Sequence, residues 1–200
     1  FTSAKKRLYL LISLPFIKDL VNFIIKFIYK MTKSTKVNAA ILIIGNEILS
    51  GRTQDTNTST LATWLNSIGV KVNEVRVVPD DEKIIVDTLN VLRKSNNYVF
   101  TTGGIGPTHD DITAECVSKA FGIKYEIHKE AFKILEKYYK PGEFNEGRQK
   151  MVWMPENANL ILNPTSGAPG FSVDNVFCFP GVPSILKSML GGLTNTIVGG

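Results

Sequence analysis

Two adjacent carboxylates, Asp110 and Asp111, stand just behind the glycines Gly103, Gly104 and Gly106 in the segment TTGGIGPTHDDIT, Thr101 to Thr113. Glycines let the chain turn tightly and leave backbone N–H groups bare, which suits a phosphate at a helix N-terminus. Acids beside that phosphate can hold a hard divalent cation or position an attacking water. The residue types therefore point to chemistry on a phosphate-bearing molecule. A purely structural reading stands beside it: the glycines make a tight turn, and Asp110 or Asp111 caps the next helix.

Several familiar chemistries are excluded. No GxxxxGK[ST] is present, so the loop is not a P-loop. It is not a dinucleotide fingerprint either, because His109 stands where the third glycine after Gly104 and Gly106 should be. No GxSxG elbow marks a serine hydrolase. His109 and His128 are too few and too separated for a zinc site. Cys116 and Cys178 lack CxxC partners and read as small buried hydrophobes of a reducing, cytoplasmic protein.

These residues need elements to hold them. Ala39 to Ile44 is a continuous apolar run, as in a buried parallel strand. Thr56 to Ile68 reads as a helix with Leu61, Trp64, Leu65 and Ile68 on one face. Val70 to Val78 alternates as a strand, and Pro79-Asp80-Asp81 opens a helix facing the core with Ile84, Ile85, Leu89 and Leu92. Tyr98 to Thr102 is the next strand, and a helix spans Thr113 to Phe121. Lys129 to Tyr139 reads as a helix, and Lys140 to Gln149 as a polar, turn-rich stretch. Leu160 to Leu162, Phe171 to Val173 and Val176 to Phe179 read as short strands, with a final helix from about Ser184. Strand–helix alternation predicts an α/β fold with a mainly parallel sheet, whose ligands bind at the carboxyl ends of the strands. Gly45-Asn46-Glu47, Pro79-Asp80 and Gly103-Gly104 all follow strands and would gather on one rim.

The formal charge of +5 comes from the N-terminus. Residues 1–30 hold six basic residues against Asp19, which leaves 17 basic and 17 acidic residues in the remainder. The body is neutral and gives no support for a nucleic-acid surface. Residues 1–30 form an apolar, basic leader, distinct from a domain over 31–200. Pro15, Lys18, Asp19, Asn22 and Lys26 break its apolar run too often for a secure transmembrane span. Three readings are open. Met31 opens MTKSTKVNAAILIIG as a natural start would, so the leader is first an artefact of the assigned start site. Lys18, Asn22, Lys26 and Lys30 recur every four residues, so it is second a helix on an anionic membrane surface. A signal sequence is third, without an A-x-A-like cleavage site. Membrane contact is expected only if residues 1–30 are genuine. The Gly-containing end of the chain suggests C-terminal truncation.

Five motifs occur in order: GNEILSGRTQDTN (Gly45 to Asn57), VPDD (Val78 to Asp81), TTGGIGPTHDDIT, SGAPGF (Ser166 to Phe171) and FPGVP (Phe179 to Pro183). Together they resemble the molybdopterin-binding (MoaB/Mog) domain, and the GNEILSG and GGIGPTHDD spellings look most like its CinA-type variant. The resemblance implies a three-layer α/β/α domain with a mainly parallel central sheet, from about Ala39 to the C-terminus. Mog-like members transfer an adenylyl group to molybdopterin; CinA-like members cleave the pyrophosphate of ADP-ribose with a metal. The C-terminal deamidase of full CinA proteins has no counterpart in these 200 residues, and its activity is not carried over.

Carried over by motif, Asp111 and Asp80 are the catalytic acids, with Asp110 and Asp81 as their neighbouring rivals. Asp111 and Asp110 are the ligands of a divalent cation, Mg or Co. The ligand is a small nucleotide or pterin, with molybdopterin among the candidates. Its contacts are Gly45, Glu47, Thr102, Gly103, Gly104, Gly106, Thr108, Ser166, Gly167, Gly170, Pro180 and Gly181, with Pro183 shaping one wall. Glu47 completes an acidic rim or is a loop acid. Asp55 and Asn57 match the family's D-x-N or cap the helix that follows. Trp64 and Trp153 read as core or interface residues before stacking platforms. The resemblance also implies a homo-oligomer, dimer or trimer. Nucleotide-diphosphate hydrolysis is the leading function; molybdopterin adenylylation and ligand binding without turnover are the alternatives.

Overall fold

The computed structural model describes residues 19–24 and 36–200. The chain divides into two compact units, Phe1–Thr35 and Lys36–Gly200. In the first, residues 19–24 are helical and exposed. Lys18, Lys26, Lys30 and Met31, on which the readings of the leader turn, lie outside the described residues.

The second unit is built around β1 (Asn38–Ile44), whose last six residues are all buried. It runs parallel to β2 (Lys71–Val78) on one side and to β3 (Tyr98–Thr102) on the other. The sheet continues through β8 (Val176–Phe179) and β7 (Gly170–Val173) to β6 (Asn159–Ile161), giving the order β2-β1-β3-β8-β7-β6. The β3–β8 pair is parallel, while β7 is antiparallel to both of its neighbours. β7 alone thus opposes the common direction of this sheet.

Alternation along β1 distributes its side chains to two faces. Ala40, Leu42 and Ile44 join one core cluster, which also takes residues from α3 (Glu82–Ser95), α4 (Thr113–Phe121) and α5 (Lys129–Tyr138). Ala39, Ile41 and Ile43 join the other, with Leu61 and Leu65 of α2 (Asn57–Ser67) and Leu186, Met189 and Leu190 of α7 (Pro183–Leu190). Helices therefore cover both faces, and the expected three-layer α/β/α fold with a mainly parallel sheet is present.

Local chemistry explains the helix ends. The Asp81 carboxylate accepts from the Ile84 N–H at 3.0 Å and starts α3. Ile85, Leu89 and Leu92 are spaced to share its inner face and are fully buried, each contributing roughly 1.5–3 kcal/mol. Ile84, expected beside them, lies about 100° round the helix from Ile85 and is exposed. Trp64 and Ile68 pack at the border of their cluster and do not enter its centre. His128 accepts from the Ala131 N–H through Nδ1 at the start of α5, so Nε2 carries the proton toward the Ala158 carbonyl, 3.1 Å away.

Several elements were not visible in the residue pattern. The turn-rich stretch contains α6 (Glu146–Gln149), capped by the Asn145 side chain. A small antiparallel ribbon pairs β4 (Tyr125–Ile127) with β5 (Trp153–Pro155). A four-residue helix, α1 (Asn46–Leu49), follows β1.

Candidate functional site

β1, β3 and β8 end side by side, with Ile43 opposite Thr102 and Thr102 opposite Phe179. Their first turns carry Gly45, Gly103 and Pro180-Gly181 onto one rim. The reversed β7 adds a fourth loop. Ile161 is opposite Gly170, and Phe171 is opposite Cys178, so residues 162–169 connect at the same edge.

The glycine loop is fixed by close backbone packing. Gly103 has φ +99, and a Cβ there would lie 2.1 Å from the Ile44 carbonyl oxygen. A Cβ on Gly181 would come within 3.5 Å of the Gly103 Cα, so three loops meet with no side chain between them. Thr113, fully buried, donates its hydroxyl to the Gly103 carbonyl at 2.9 Å, and its N–H to the Gly104 carbonyl at 2.9 Å. The loop is thereby locked to the start of α4.

The Gly103 N–H, expected in a phosphate cradle, donates instead to the Phe179 carbonyl at 3.0 Å and extends the β3–β8 ladder. The cradle begins one residue later. Among the described residues, no acceptor takes the N–H groups of Gly104, Ile105 or Gly106. Three consecutive bare amides immediately precede the acidic turn.

In that turn the Thr108 hydroxyl lies between two acids. It is 2.6 Å from Asp111 Oδ2 and also contacts Asp110 Oδ1. The Thr108 N–H donates to Asp111 Oδ2 at 2.8 Å. One hydroxyl carries one hydrogen, so it can serve only one of the two carboxylates at a time. The hydroxyl, then the residue's own backbone amide, holds the exposed Asp110 carboxyl below its usual range. The Asp111 carboxylate folds over Gly106, where a Cβ would meet its Oδ2 at 2.7 Å. Among the described residues no three His, Cys, Asp or Glu side chains gather into a metal cluster. Two neighbouring carboxylates with a hydroxyl between them nevertheless fit a Mg²⁺-like ion, which takes one or two carboxylates and completes its shell with water and phosphate oxygens.

Lys150 escaped the sequence reading. Its ammonium donates to the Thr108 carbonyl, and to that of His109 at 3.2 Å. It closes the acidic turn from 42 residues away. Lys150, Tyr125 and Trp153 line a narrow cavity of about 10 Å³ together with Gly106 and Asp111. The Tyr125 and Trp153 rings are 5.5 Å apart.

A second cavity, about 50 Å³, opens between the ends of β1 and β3. Its wall includes Glu47, Thr53 to Asn57, Thr102, Gly103 and Gly181. Asn57 is buried there and donates through Nδ2 to the Gly181 carbonyl at 2.8 Å, with Thr102 Oγ1 at 3.4 Å. That bond fixes the amide orientation and leaves Asn57 Oδ1 buried without a donor. An orphaned oxygen of this kind costs about 1–3 kcal/mol, which a donor on a bound ligand or water would relieve.

The remaining acids are dispersed. Asp55 Oδ1 accepts from the N–H groups of Asn57 and Thr58, so the helix-capping alternative describes its contacts. Asp81 is likewise a cap. Asp80 Oδ2 accepts from the Asn46 N–H at 2.9 Å and ties the turn after β1 to the end of β2. The Glu47 carboxylate covers Gly45, where a Cβ would lie 2.6 Å from its Oε1. In the fourth loop, Asn163 donates to Ser166 Oγ and the Ala168 carbonyl, and accepts from the N–H groups of Thr165 and Ser166. Gly167 lies against the Tyr138 ring, and Gly170 against the Cys178 carbonyl. The structure thus groups Glu47, Thr102, Gly103 and Gly181 around one cavity and Gly106 with Asp111 around another.

Comparison with known proteins agrees with this architecture. A family described as a probable molybdopterin binding domain matches residues 40–198. A CinA-like protein of Citrifermentans bemidjiense is 38% identical over 160 residues, covering 77% of this chain and 39% of that protein. A protein of Archaeoglobus fulgidus is 38% identical over 148 residues, 74% of this chain and 63% of its own length. The chain therefore spans less than two thirds of these relatives. Among solved structures, the protein CinA of Thermoplasma acidophilum, of unknown function, superposes with TM-score 0.75 at 33% identity, over 80% of this chain and 98% of that one. The molybdopterin biosynthesis enzyme MoaB of Thermus thermophilus shares the fold, with TM-score 0.55 at 17% identity, over 80% of this chain and 91% of its own. The chain belongs to the molybdopterin-binding (MoaB/Mog) domain family, close to its CinA-like members.

Proposed function

We propose that this domain binds a phosphate-bearing nucleotide or pterin on its carboxyl rim and hydrolyses a nucleotide diphosphate such as ADP-ribose. The observation that carries the reading is the run of bare amides at Gly104, Ile105 and Gly106, set directly before Thr108, Asp110 and Asp111. Such amides hold phosphate oxygens and stabilise charge that builds on them during cleavage. Asp110 and Asp111 would hold a divalent cation, Mg²⁺ or Co²⁺, which when bound neutralises charge on the phosphate oxygens. Asp111, half-buried over Gly106, orients a water toward phosphorus and takes up its proton. Water oxygen bonds to one phosphorus, the bridging P–O bond breaks, and AMP and ribose 5-phosphate leave. Asp80 acts from the neighbouring turn through its bond to the Asn46 N–H. Asn57 Oδ1 accepts a hydroxyl or N–H of the ligand.

A second reading, adenylyl transfer to molybdopterin, draws on the resemblance to Mog-like members, is compatible with a family described as molybdopterin-binding, and needs the same cradle. Incubation with ADP-ribose, and separately with molybdopterin and ATP, with and without Mg²⁺ or Co²⁺, distinguishes the two by product mass. Metal-dependent release of AMP and ribose 5-phosphate, lost in Asp111→Asn, is the expected result. Adenylylated molybdopterin would establish the second reading. Saturable binding without turnover would reduce the domain to a carrier.

A further inference from the structure

Lys150 sits in the wall of the narrow cavity that also contains Gly106 and Asp111. Its backbone is held from both sides. It follows α6 directly and opens a single 3-10 turn, Lys150–Val152. Val152 is fully buried, and its carbonyl accepts from the His128 N–H at 2.8 Å. Upstream, Arg148 donates to the Glu143 carbonyl at 2.6 Å and lies over the Tyr139 ring, 4.4 Å from its centre. The segment that carries Lys150 is therefore part of the packed body and not a free loop tip.

An ammonium group has three N–H donors and no acceptor. Two of them go to the carbonyls of Thr108 and His109, and among the described residues no acceptor takes the third. Carbonyls are dipoles without net charge, so they hold the ammonium and leave its charge uncancelled. Among the described residues Lys150 takes part in no ion pair, whereas Lys83 pairs with Asp87 and Lys119 with Glu82 and Glu115. A brace for a turn needs donors only. A positive charge beside a run of bare amides has a further use.

We infer that the third N–H of Lys150 donates to a non-bridging oxygen of the phosphate held by Gly104, Ile105 and Gly106, and that its charge stabilises the charge that builds there as the phosphoanhydride is cleaved. The inference rests on the hydrolytic reading above and adds a residue to it. A charge-assisted bond of this kind is about twice as strong as a neutral one, and it acts where negative charge accumulates. It also places a positive charge beside a turn where, among the described residues, no three metal-ligating side chains gather. The two roles are separable: two N–H groups brace the acidic turn, while the third and the charge act on the ligand.

The test uses the full 200-residue chain carrying Lys150→Cys. Alkylation with 2-bromoethylamine gives a side chain of lysine's length that ends in an ammonium. Alkylation with iodoacetamide gives one of the same length that ends in a neutral amide with two N–H donors. Cys116 and Cys178 are buried and do not compete. Either product can serve both carbonyls, so the comparison isolates the charge and the third donor. With ADP-ribose and Mg²⁺ the ammonium form should approach the activity of the unsubstituted chain. The amide form should lose roughly 100-fold in kcat/KM, as when one donor to a developing oxyanion is removed. Equal activity of the two forms makes Lys150 a turn brace and overturns the inference. Failure of the hydrolytic reading looks different: no form, the unsubstituted chain included, turns over ADP-ribose. Calorimetric titration with inorganic pyrophosphate then decides. Binding about tenfold tighter by the ammonium form supports the inference; equal binding, or none by either form, overturns it. Where alkylation perturbs the fold, Lys150→Arg against Lys150→Gln repeats the comparison, with the same two outcomes.

Discussion

The Thr108 hydroxyl, set between the carboxylates of Asp110 and Asp111, makes a prediction about acid tolerance. It is the leading cause of the lowered Asp110 pKa. Thr108→Val removes the donor, and the Asp110 carboxyl should rise toward its usual range in an NMR titration. The sign is fixed: a carboxyl depressed in the folded state stabilises above its unfolded pKa, and that contribution fades as pH falls through the folded value. If hydrolysis needs this group ionised, the acid limb of the activity profile should move to higher pH in the same variant. The two thiols behave oppositely. Burial pushes Cys116 and Cys178 up to about 12. Both should resist a thiol reagent at pH 8 in the folded protein and react on unfolding. Their contribution to stability is complete below the unfolded thiol pKa, about 8.5, and is lost as pH rises toward 12. Residue type alone did not distinguish these acids, because a carboxylate that caps a helix and one that holds a ligand accept from the same kind of N–H. Asp55 and Asp81 became caps, while Asp111 accepts from a turn amide and a hydroxyl. Lys150 was illegible for a related reason: its partners are main-chain carbonyls, which leave no mark on residue type.

At the level of elements, the meeting of Ile44, Gly103 and Gly181 is the most exacting contact. Gly103→Ala should cost about 3 kcal/mol in urea denaturation, combining a left-handed backbone with a Cβ inside contact distance of the Ile44 carbonyl. Gly181→Ala, with ordinary 3.5 Å contacts, should cost well under 1 kcal/mol and serves as the control. The elements read best from sequence were those with long or punctuated patterns. β1 stood out by its apolar run, and α4 by Gly122, which ends it with φ +66. β4 and β5 could not be read, since three residues establish no period, and β5 pairs with a segment some thirty positions earlier.

For the molecule as a whole, the two core clusters draw their described residues from Val37 to Ile197. A chain of residues 36–200 should therefore unfold cooperatively with a single thermal midpoint, measured by circular dichroism. No metal cluster ties the described elements together, and the proposed cation would be completed by substrate. Chelation should therefore abolish turnover of ADP-ribose while leaving that midpoint unchanged. Among the described residues no helix is long and apolar enough to cross a membrane.

The reversed strand β7 has a consequence for how such a domain can diversify. Because β6 and β7 form a hairpin, residues 162–169 close locally, yet they project onto the ligand rim beside loops that lead into the helices of long crossovers or, after β8, into the final helix. Lengthening a crossover loop disturbs a helix and its core contacts. Lengthening a hairpin tip costs little, about 0.6 kcal/mol for each doubling of a flexible loop. Ligand preference can therefore drift at 162–169 while the glycine cradle stays constant, and exchanging that one loop between relatives is the most economical graft for redirecting selectivity.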